Sequence, residues 1–209
     1  MNIIKRNEEL RSFFNRVVDI DYDQKHMEKI EGKRKIVDFI PVDSKRIIDL
    51  GAGTGLQLVR LYEVFPDIKT TAIDISEGML KKLKEKNISD NITIVNESFF
   101  DYDFGTFLDA VISTQALHHF DKKDKLVLYK KVLDCLKPGG VFINEDYYAS
   151  CDEVEEELFN NYRNLVYGSE RHYDTPLTIE HETEILKSVG FSSVEHCSGD
   201  SYNILVARK

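Results

Sequence analysis

The stretch Ile47-Ile48-Asp49-Leu50-Gly51-Ala52-Gly53-Thr54-Gly55 decides how this chain is read. Ile47, Ile48 and Leu50 are bulky and apolar, and two are β-branched, which suits a buried strand. Three alternating glycines then stop the run; glycine tolerates positive φ and lets another molecule approach the backbone closely. Leu56, Val59, Leu61 and Val64 follow with helical periodicity, so a helix starts at the glycines. Strand, glycine turn and helix form the layout of a nucleotide-type cofactor site. Alone, the glycine pattern is weak. It gains weight from Asp74, which closes a second apolar strand 19 residues after Gly55. A carboxylate at that place can accept two hydrogen bonds from ribose hydroxyls.

Outward from this stretch the chain alternates. Strand 45–50 leads to helix 54–64, and strand 69–74 leads to helix 76–86 with Ser76 as its N-cap. Strand 91–95 enters an acidic, aromatic loop over 96–105. Strand 108–113 leads to 115–120, and helix 122–136, capped by Asp121, runs to Lys137-Pro138-Gly139-Gly140 and strand 141–145. Such alternation predicts βαβ units, a mostly parallel sheet and right-handed crossovers.

The flanks differ. Residues 1–20 read as an amphipathic helix carrying Phe13, Phe14, Val17 and Val18. Asp21-Tyr22-Asp23 interrupts it. A second helical pattern covers 24–39 through Met27, Ile30, Ile36 and Val37, with Ile40 on the same side; Gly32 weakens it and Pro41 ends it. Downstream, 152–167 read as an acidic helix, 168–176 as a polar loop, and a helix capped by Thr178 runs to Val189 and closes at Gly190. Two strands, 191–197 and 201–207, flank Ser198-Gly199-Asp200 as a hairpin, so at least one pair is antiparallel. One domain is expected over 1–209: a helical cap (1–41), a cofactor-binding core (45–145), substrate-side helices (146–190) and a C-terminal hairpin (191–209).

The 209 residues are long enough for one sizeable core. No run nears the roughly 18 apolar residues of a membrane helix, and MNIIKRNEEL lacks the apolar centre of a signal peptide. Cys135, Cys151 and Cys197 lie far apart without CxxC spacing, which points to reduced thiols in the cytoplasm and away from a zinc site. A net charge of −9 argues against non-specific nucleic-acid binding. Lys81, Lys82, Lys84 and Lys86 form a local basic cluster, read as a solvated helix face.

IIDLGAGTG, TTAIDIS, AVISTQALHHF and LKPGG, in this order and spacing, resemble the class I S-adenosylmethionine-dependent methyltransferases. The resemblance covers about 45–145 well and the rest loosely. It implies a three-layer Rossmann-like sandwich whose seven-stranded sheet is mostly parallel with an antiparallel last strand, and to which the hairpin reading adds its own support. It also implies S-adenosylmethionine as methyl donor and S-adenosylhomocysteine as product. Gly51, Ala52, Gly53, Thr54 and Gly55 would then lie against the methionine half and the ribose. Asp49 would approach the amino group directly or through water. Asp74 would hold the ribose diol, and Ile75 and Met79 would touch the adenine. Many relatives place an acid where this chain has Ser98, so Ser98, the backbone N–H of Phe99, or Glu97 or Asp101 would serve the adenine edge. Ser113, Thr114, Gln115, Ala116 and Leu117 would border the sulfonium, and Tyr22 would cover the methionine end as a lid.

Catalytic candidates are weak. His118 and His119 either pack or take a proton; Glu145 and Asp146, at a strand end with Tyr147 and Tyr148, either bind a substrate or cap a loop. The segment 162–173, with Arg163, Arg171 and His172, either clamps an anionic acceptor or lies on the surface. The resemblance implies in-line methyl transfer to a small-molecule acceptor. Rival readings are a tRNA or protein methyltransferase, a cofactor-binding protein without turnover, and a nicotinamide enzyme. The last expects Gly-x-Gly-x-x-Gly, and position 56 here is Leu56. Acceptor atom and oligomeric state are not written in these motifs.

Overall fold

The computed structural model describes residues 3–18, 22–24, 36–163, 174–199 and 202–209. Its centre is one seven-stranded sheet: β1 (Arg46–Leu50), β2 (Lys69–Asp74), β3 (Ile92–Asn96), β4 (Leu108–Thr114), β5 (Leu136–Glu145), β6 (Ser193–Gly199) and β7 (Tyr202–Arg208). The spatial order is β3-β2-β1-β4-β5-β7-β6. β1 to β5 pair parallel, and β7 runs antiparallel to both β5 and β6. The chain steps outward from β1 to β3 and then returns to the other side of β1 with β4. That reversal opens a crevice at the carboxyl ends of β1 and β4.

Successive side chains of each strand enter opposite cores. Ile48, Leu50, Val111, Phe142 and Leu205 meet α4 (Lys122–Cys135) and α6 (Ile179–Val189) through Leu128, Val132, Ile185 and Leu186. Ile47, Ala110, Ile112, Val141, Ile143 and Ile204 meet α2 (Leu56–Val64), α3 (Glu77–Glu85) and a 3-10 turn (Ile36–Phe39) through Leu58, Leu61, Leu80, Leu83 and Ile36. Burial on both faces explains why the strands read as near-continuous apolar runs. Ser76, Asp121 and Thr178 cap their helices by accepting backbone N–H bonds, and Gly190 ends α6 at φ 115.

Several boundaries move. α2 starts at Leu56, because Gly55 caps it at φ 79, where a helix cannot begin. β5 starts at Leu136 rather than 141. Pro138 and Gly139 look like a turn in isolation, but Leu136 pairs with Leu108, and Gly139 N–H and Gly140 C=O bond to Lys209. Residues 22–24 are helical rather than a break. Of the helical pattern 24–39, residues 36–39 form the 3-10 turn, while 25–35, with Met27, Ile30 and Gly32, lie outside the described residues. So do Arg171, His172 and the hairpin turn at 200–201. α5 (Asp152–Arg163) covers the described part of the helix read over 152–167.

α1 (Ile3–Val17) departs most from its apolar pattern. Its buried residues are Arg6, Asn7 and Leu10, while Phe13, Phe14 and Val17 are half-covered. The helix crosses the carboxyl ends of the strands, where backbone groups must be met, and not an apolar sheet face. Arg6 Nε donates to His119 O at 2.8 Å, and Asn15 Oδ1 accepts from Ser76 Oγ at 2.7 Å and Gly78 N at 2.9 Å. Among the described residues no helix is long and apolar enough to cross a membrane.

One buried ion pair ties α4 to α6: Lys125 Nζ lies 2.7 Å from Glu182 Oε2, and Tyr129 Oη donates to the other carboxylate oxygen. Lys125 is 1% and Glu182 0% exposed. Breaking such a pair strands a buried charge. Glu182→Ala should therefore lower stability by about 3–5 kcal/mol in urea denaturation, while the double change Lys125→Met, Glu182→Leu should cost far less.

Candidate functional site

A cleft of about 600 Å³ runs along the carboxyl ends of β1, β2 and β4. Gly51, Gly53, Asp74, Ile75, Met79, Ser98 and Phe99 line it from the sheet side, and Asn7, Leu10 and Phe14 of α1 roof it. A second hollow of about 480 Å³ continues past the glycine turn to Asp49, Ala52, Thr54 and Gln57. Tyr22, Gly51, Gly53, Thr114 and Gln115 border both, so the two form one path.

The turn is fixed by backbone bonds. Gly51 N and Ala52 N donate to Ile73 O at 2.9 and 3.0 Å, so the chain folds back over the end of β2. Gly51 has φ +73, and a Cβ there would stand 2.5 Å from Ala116 Cβ, so no side chain fits. Gly53 N donates to Asp74 Oδ2, and Ser76 N to Asp74 Oδ1, both at 2.8 Å. Asp74 thus braces the turn as well as facing the cleft. Gly55 does not line the path; a Cβ there would run into Leu83 Cδ1, so this glycine serves helix packing.

Acids dominate the electrostatics. Asp49 is 2% exposed and accepts no hydrogen bond from the described residues. Burial, with the charge of Asp74 behind it, pushes its carboxyl up to about 7. Burial also raises Asp74, against the pull of the Ser76, Gly53 and Ile75 amides. Burial raises the Tyr22 phenol to about 12, helped by Asp74 and Asp23. Tyr22 therefore stays a neutral O–H. Its segment is tethered: Thr54 Oγ1 donates to Asp23 Oδ1 at 2.5 Å, and Lys86 Nζ lies 2.7 Å from Asp23 and 2.5 Å from Thr54 O. Lys86 is thus a latch, while Lys81, Lys82 and Lys84 form the solvated face.

At the end of β4, Ser113 turns inward, fully buried, and its hydroxyl donates to Leu50 O at 3.0 Å. Thr114 and Gln115 take the cleft wall instead. Gln115 has φ 51, an uncommon conformation for a side-chain-bearing residue, held by its N–H to Glu145 O at 2.8 Å. Glu145 is buried. Asp146 faces the loop after β4: Oδ2 accepts from Leu117 N and His118 N at 3.0 and 2.9 Å, and Oδ1 meets His118 Nδ1 at 2.5 Å. Burial pulls the His118 imidazole down, but Asp146 and then Asp174 outweigh it and leave it raised. Asp146 is lowered despite its burial, because His118 and Lys125 favour its charge.

His119 is the histidine that lines the cleft, and its Nδ1 lies 2.9 Å from Asp174 Oδ1. Ligand atoms of His118, His119 and Asp174 fall within 4.8 Å of one another, a set able to hold a metal ion. Cysteine spacing says nothing of this cluster, because Asp174 lies 55 residues from His119 in sequence. His118, Glu145 and Asp146 line neither hollow; they hold the β4 loop in place.

A nucleoside with a charged amino-acid arm fits these donors and acceptors. Thr114 Oγ1 and Gln57 Oε1 are buried on the wall without a partner among the described residues. Asp49 lines the second hollow with no donor to its carboxyl among the described residues, and Gly51 has no room for a side chain. Of the residues read from sequence, the path gathers Tyr22, Asp49, Gly51, Ala52, Gly53, Thr54, Asp74, Ile75, Met79, Ser98, Phe99, Gln115 and His119. It leaves out Gly55 and Ser113. Asn7, Leu10, Phe14, Gln57 and Phe120 carried no sequence signal for a site.

A methyltransferase-domain family profile matches residues 47–140. The carboxy-S-adenosyl-L-methionine synthase of Nautilia profundicola is 25% identical over 73% of this chain and 72% of its own length. The phosphoethanolamine N-methyltransferase of Plasmodium falciparum is 27% identical over 79% of this chain and 60% of its own. Among solved structures, human N-acetylserotonin methyltransferase with S-adenosylmethionine superposes with a TM-score of 0.63 at 21% identity, over 83% of this chain and 50% of that one. The methyltransferase SibL in its apo form gives 0.69 at 18% identity, over 91% and 58%. The chain thus spans only part of those two solved enzymes, and this likeness speaks to the fold. The matched residues 47–140 hold the glycine turn and the acid closing β2, so over this stretch the chain is similar to the methyltransferase-domain family, and its sheet order is the fold of the solved methyltransferases.

Proposed function

We propose that this chain transfers the methyl group of S-adenosylmethionine to a small-molecule acceptor. The observation that carries the cofactor reading is the pair of acids at the glycine turn, Asp74 braced by amides and Asp49 without a donor among the described residues. Asp74 spends two acceptor positions on Gly53 N and Ser76 N. A carboxylate has about four, so acceptor capacity remains for a ribose diol. Such charge-assisted bonds contribute about 1.5–3 kcal/mol each. Asp49 would face the ammonium of the methionine arm, and Ile75, Met79 and Phe99 would enclose the adenine.

Bound there, the cofactor supplies a methyl group on a cationic sulfur that departs as a neutral thioether. The protein's task is to align the acceptor and exclude water. Leu10, Phe14 and Phe120 supply an apolar cover over the cleft. That roof, and the net charge of −9, favour a compact acceptor over RNA. Two relatives bear on this: one is named a phosphoethanolamine N-methyltransferase, and another, from Acetivibrio thermocellus, a malonyl-acyl-carrier-protein O-methyltransferase. For an acceptor with a proton to lose, His119 is the group at hand, with Nδ1 held by Asp174. His118 has the supporting role, because Asp146 occupies its Nδ1.

Three outcomes follow. Asp74→Ala should weaken S-adenosylhomocysteine binding by about tenfold or more in calorimetry while a cooperative melt persists; unchanged affinity would remove Asp74 from the site. Burial pushes the Asp49 carboxyl up to about 7, and a bound ammonium would favour its charged form. Affinity should therefore fall about tenfold per pH unit below pH 7 and level off above it, and Asp49→Asn should flatten that profile. Screening acceptor pools with radiolabelled methyl donor should find transfer to a small molecule. His119→Ala should then lower kcat about a hundredfold with cofactor affinity nearly unchanged, whereas transfer confined to tRNA or protein would overturn the acceptor reading.

A further inference from the structure

We infer that Asn7 of α1 reads the adenine edge of the cofactor, an inference that rests on the methyltransferase reading above. Asn7 is only 9% exposed and lines the cleft beside Ser98, Met79 and Phe99. One N–H of its amide donates to Ser98 Oγ at 2.9 Å. Among the described residues its Oδ1 and second N–H make no further bond, and they stay open to the cleft. An amide that lines the cleft with two open positions offers a ligand one acceptor and one donor.

What fills them is constrained. Ser98 Oγ also accepts from Phe100 N at 3.2 Å, so Asn7 is held against a side chain that is itself fixed. Arg6, bonded to His119 O, and Asn15, bonded to Ser76 and Gly78, set the register of α1 on both sides of Asn7. The neighbouring walls, Met79 at 2% and Phe99 at 8% exposure, are apolar and suit a flat ring. Asp74 lines the same cleft, so a nucleoside held by its ribose at Asp74 would bring its base among these residues. An amide meets adenine with two parallel bonds: the carbonyl accepts from the 6-amino group and the N–H donates to N7. Glu97 and Asp101, the acids of the loop after β3, are exposed and line neither hollow. The base contact thus comes from the N-terminal helix, and α1 is part of the cofactor site as well as its cover.

The test is calorimetric titration of the full chain with S-adenosylhomocysteine and with S-inosylhomocysteine, whose carbonyl replaces the 6-amino group. Wild type should prefer the adenine ligand by about tenfold or more. Asn7→Ala should lose that preference to within about threefold, and Asn7→Asp should keep it, because a carboxylate still accepts from the amino group. Full preference in a folded Asn7→Ala overturns the inference and leaves the methyltransferase reading standing. Lost preference in Asn7→Asp with an unchanged melting temperature also overturns it, and that arm decides if Asn7→Ala does not fold. Binding of neither ligand by wild type overturns the cofactor reading beneath it.

Discussion

Two backbone amides, Gly53 N and Ser76 N, close on the carboxylate of Asp74 at 2.8 Å each. The Gly53 bond joins the end of β2 to the turn that leaves β1, and the Ser76 bond fixes the carboxylate that makes it. Gly51 and Ala52 add bonds to Ile73 O. The turn then crosses the strand ends as bare backbone, because Gly51 has no room for a side chain beside Ala116. The constraint comes from close approach and positive φ together. It fixes where a ligand can lie before any ligand contact is counted.

Around that turn the protein divides its labour by face. Apolar burial on both sides of the sheet supplies the hydrophobic stabilisation, and the strand ends carry the polar work. Asp146 holds the β4 loop by two amides and His118, Lys86 joins Asp23 to the turn, and α1 docks by Arg6, Asn7 and Asn15. These are directional bonds at fixed distances, suited to setting a geometry. The acids they leave open, Asp49 and part of Asp74, are those facing the path.

Much of the fold was legible because its signals are local. Alternating burial of Ile47 and Ile48, and caps at Ser76, Asp121 and Thr178, need only neighbouring residues to be read. The glycine turn and Asp74 were legible for the same reason. Contacts between distant segments were not. Lys125 and Glu182 are 57 residues apart and look like surface charges on their helices. The pair His118-His119 looks symmetric in sequence, and only the placement of Asp146 and Asp174 gives each ring its own partner. Asn7 sits in a charged, low-hydropathy stretch whose apolar residues point attention to Phe13 and Phe14, yet the polar face is the one that docks. β5 looks shorter in sequence because Pro138-Gly139-Gly140 resembles a turn; in the fold Leu136 already pairs with Leu108, the register shifts before Val141 meets Ala110, and Gly139 and Gly140 bond to Lys209.

The central claim is that the path over the glycine turn holds S-adenosylmethionine and not a nicotinamide dinucleotide. Calorimetric titration of the full chain at pH 8 with S-adenosylhomocysteine, and with NAD in parallel, tests it most directly. The account predicts saturable binding of the first, with a dissociation constant on the order of micromolar (about −8 kcal/mol), and no heat from the second. Binding of NAD alone would contradict it.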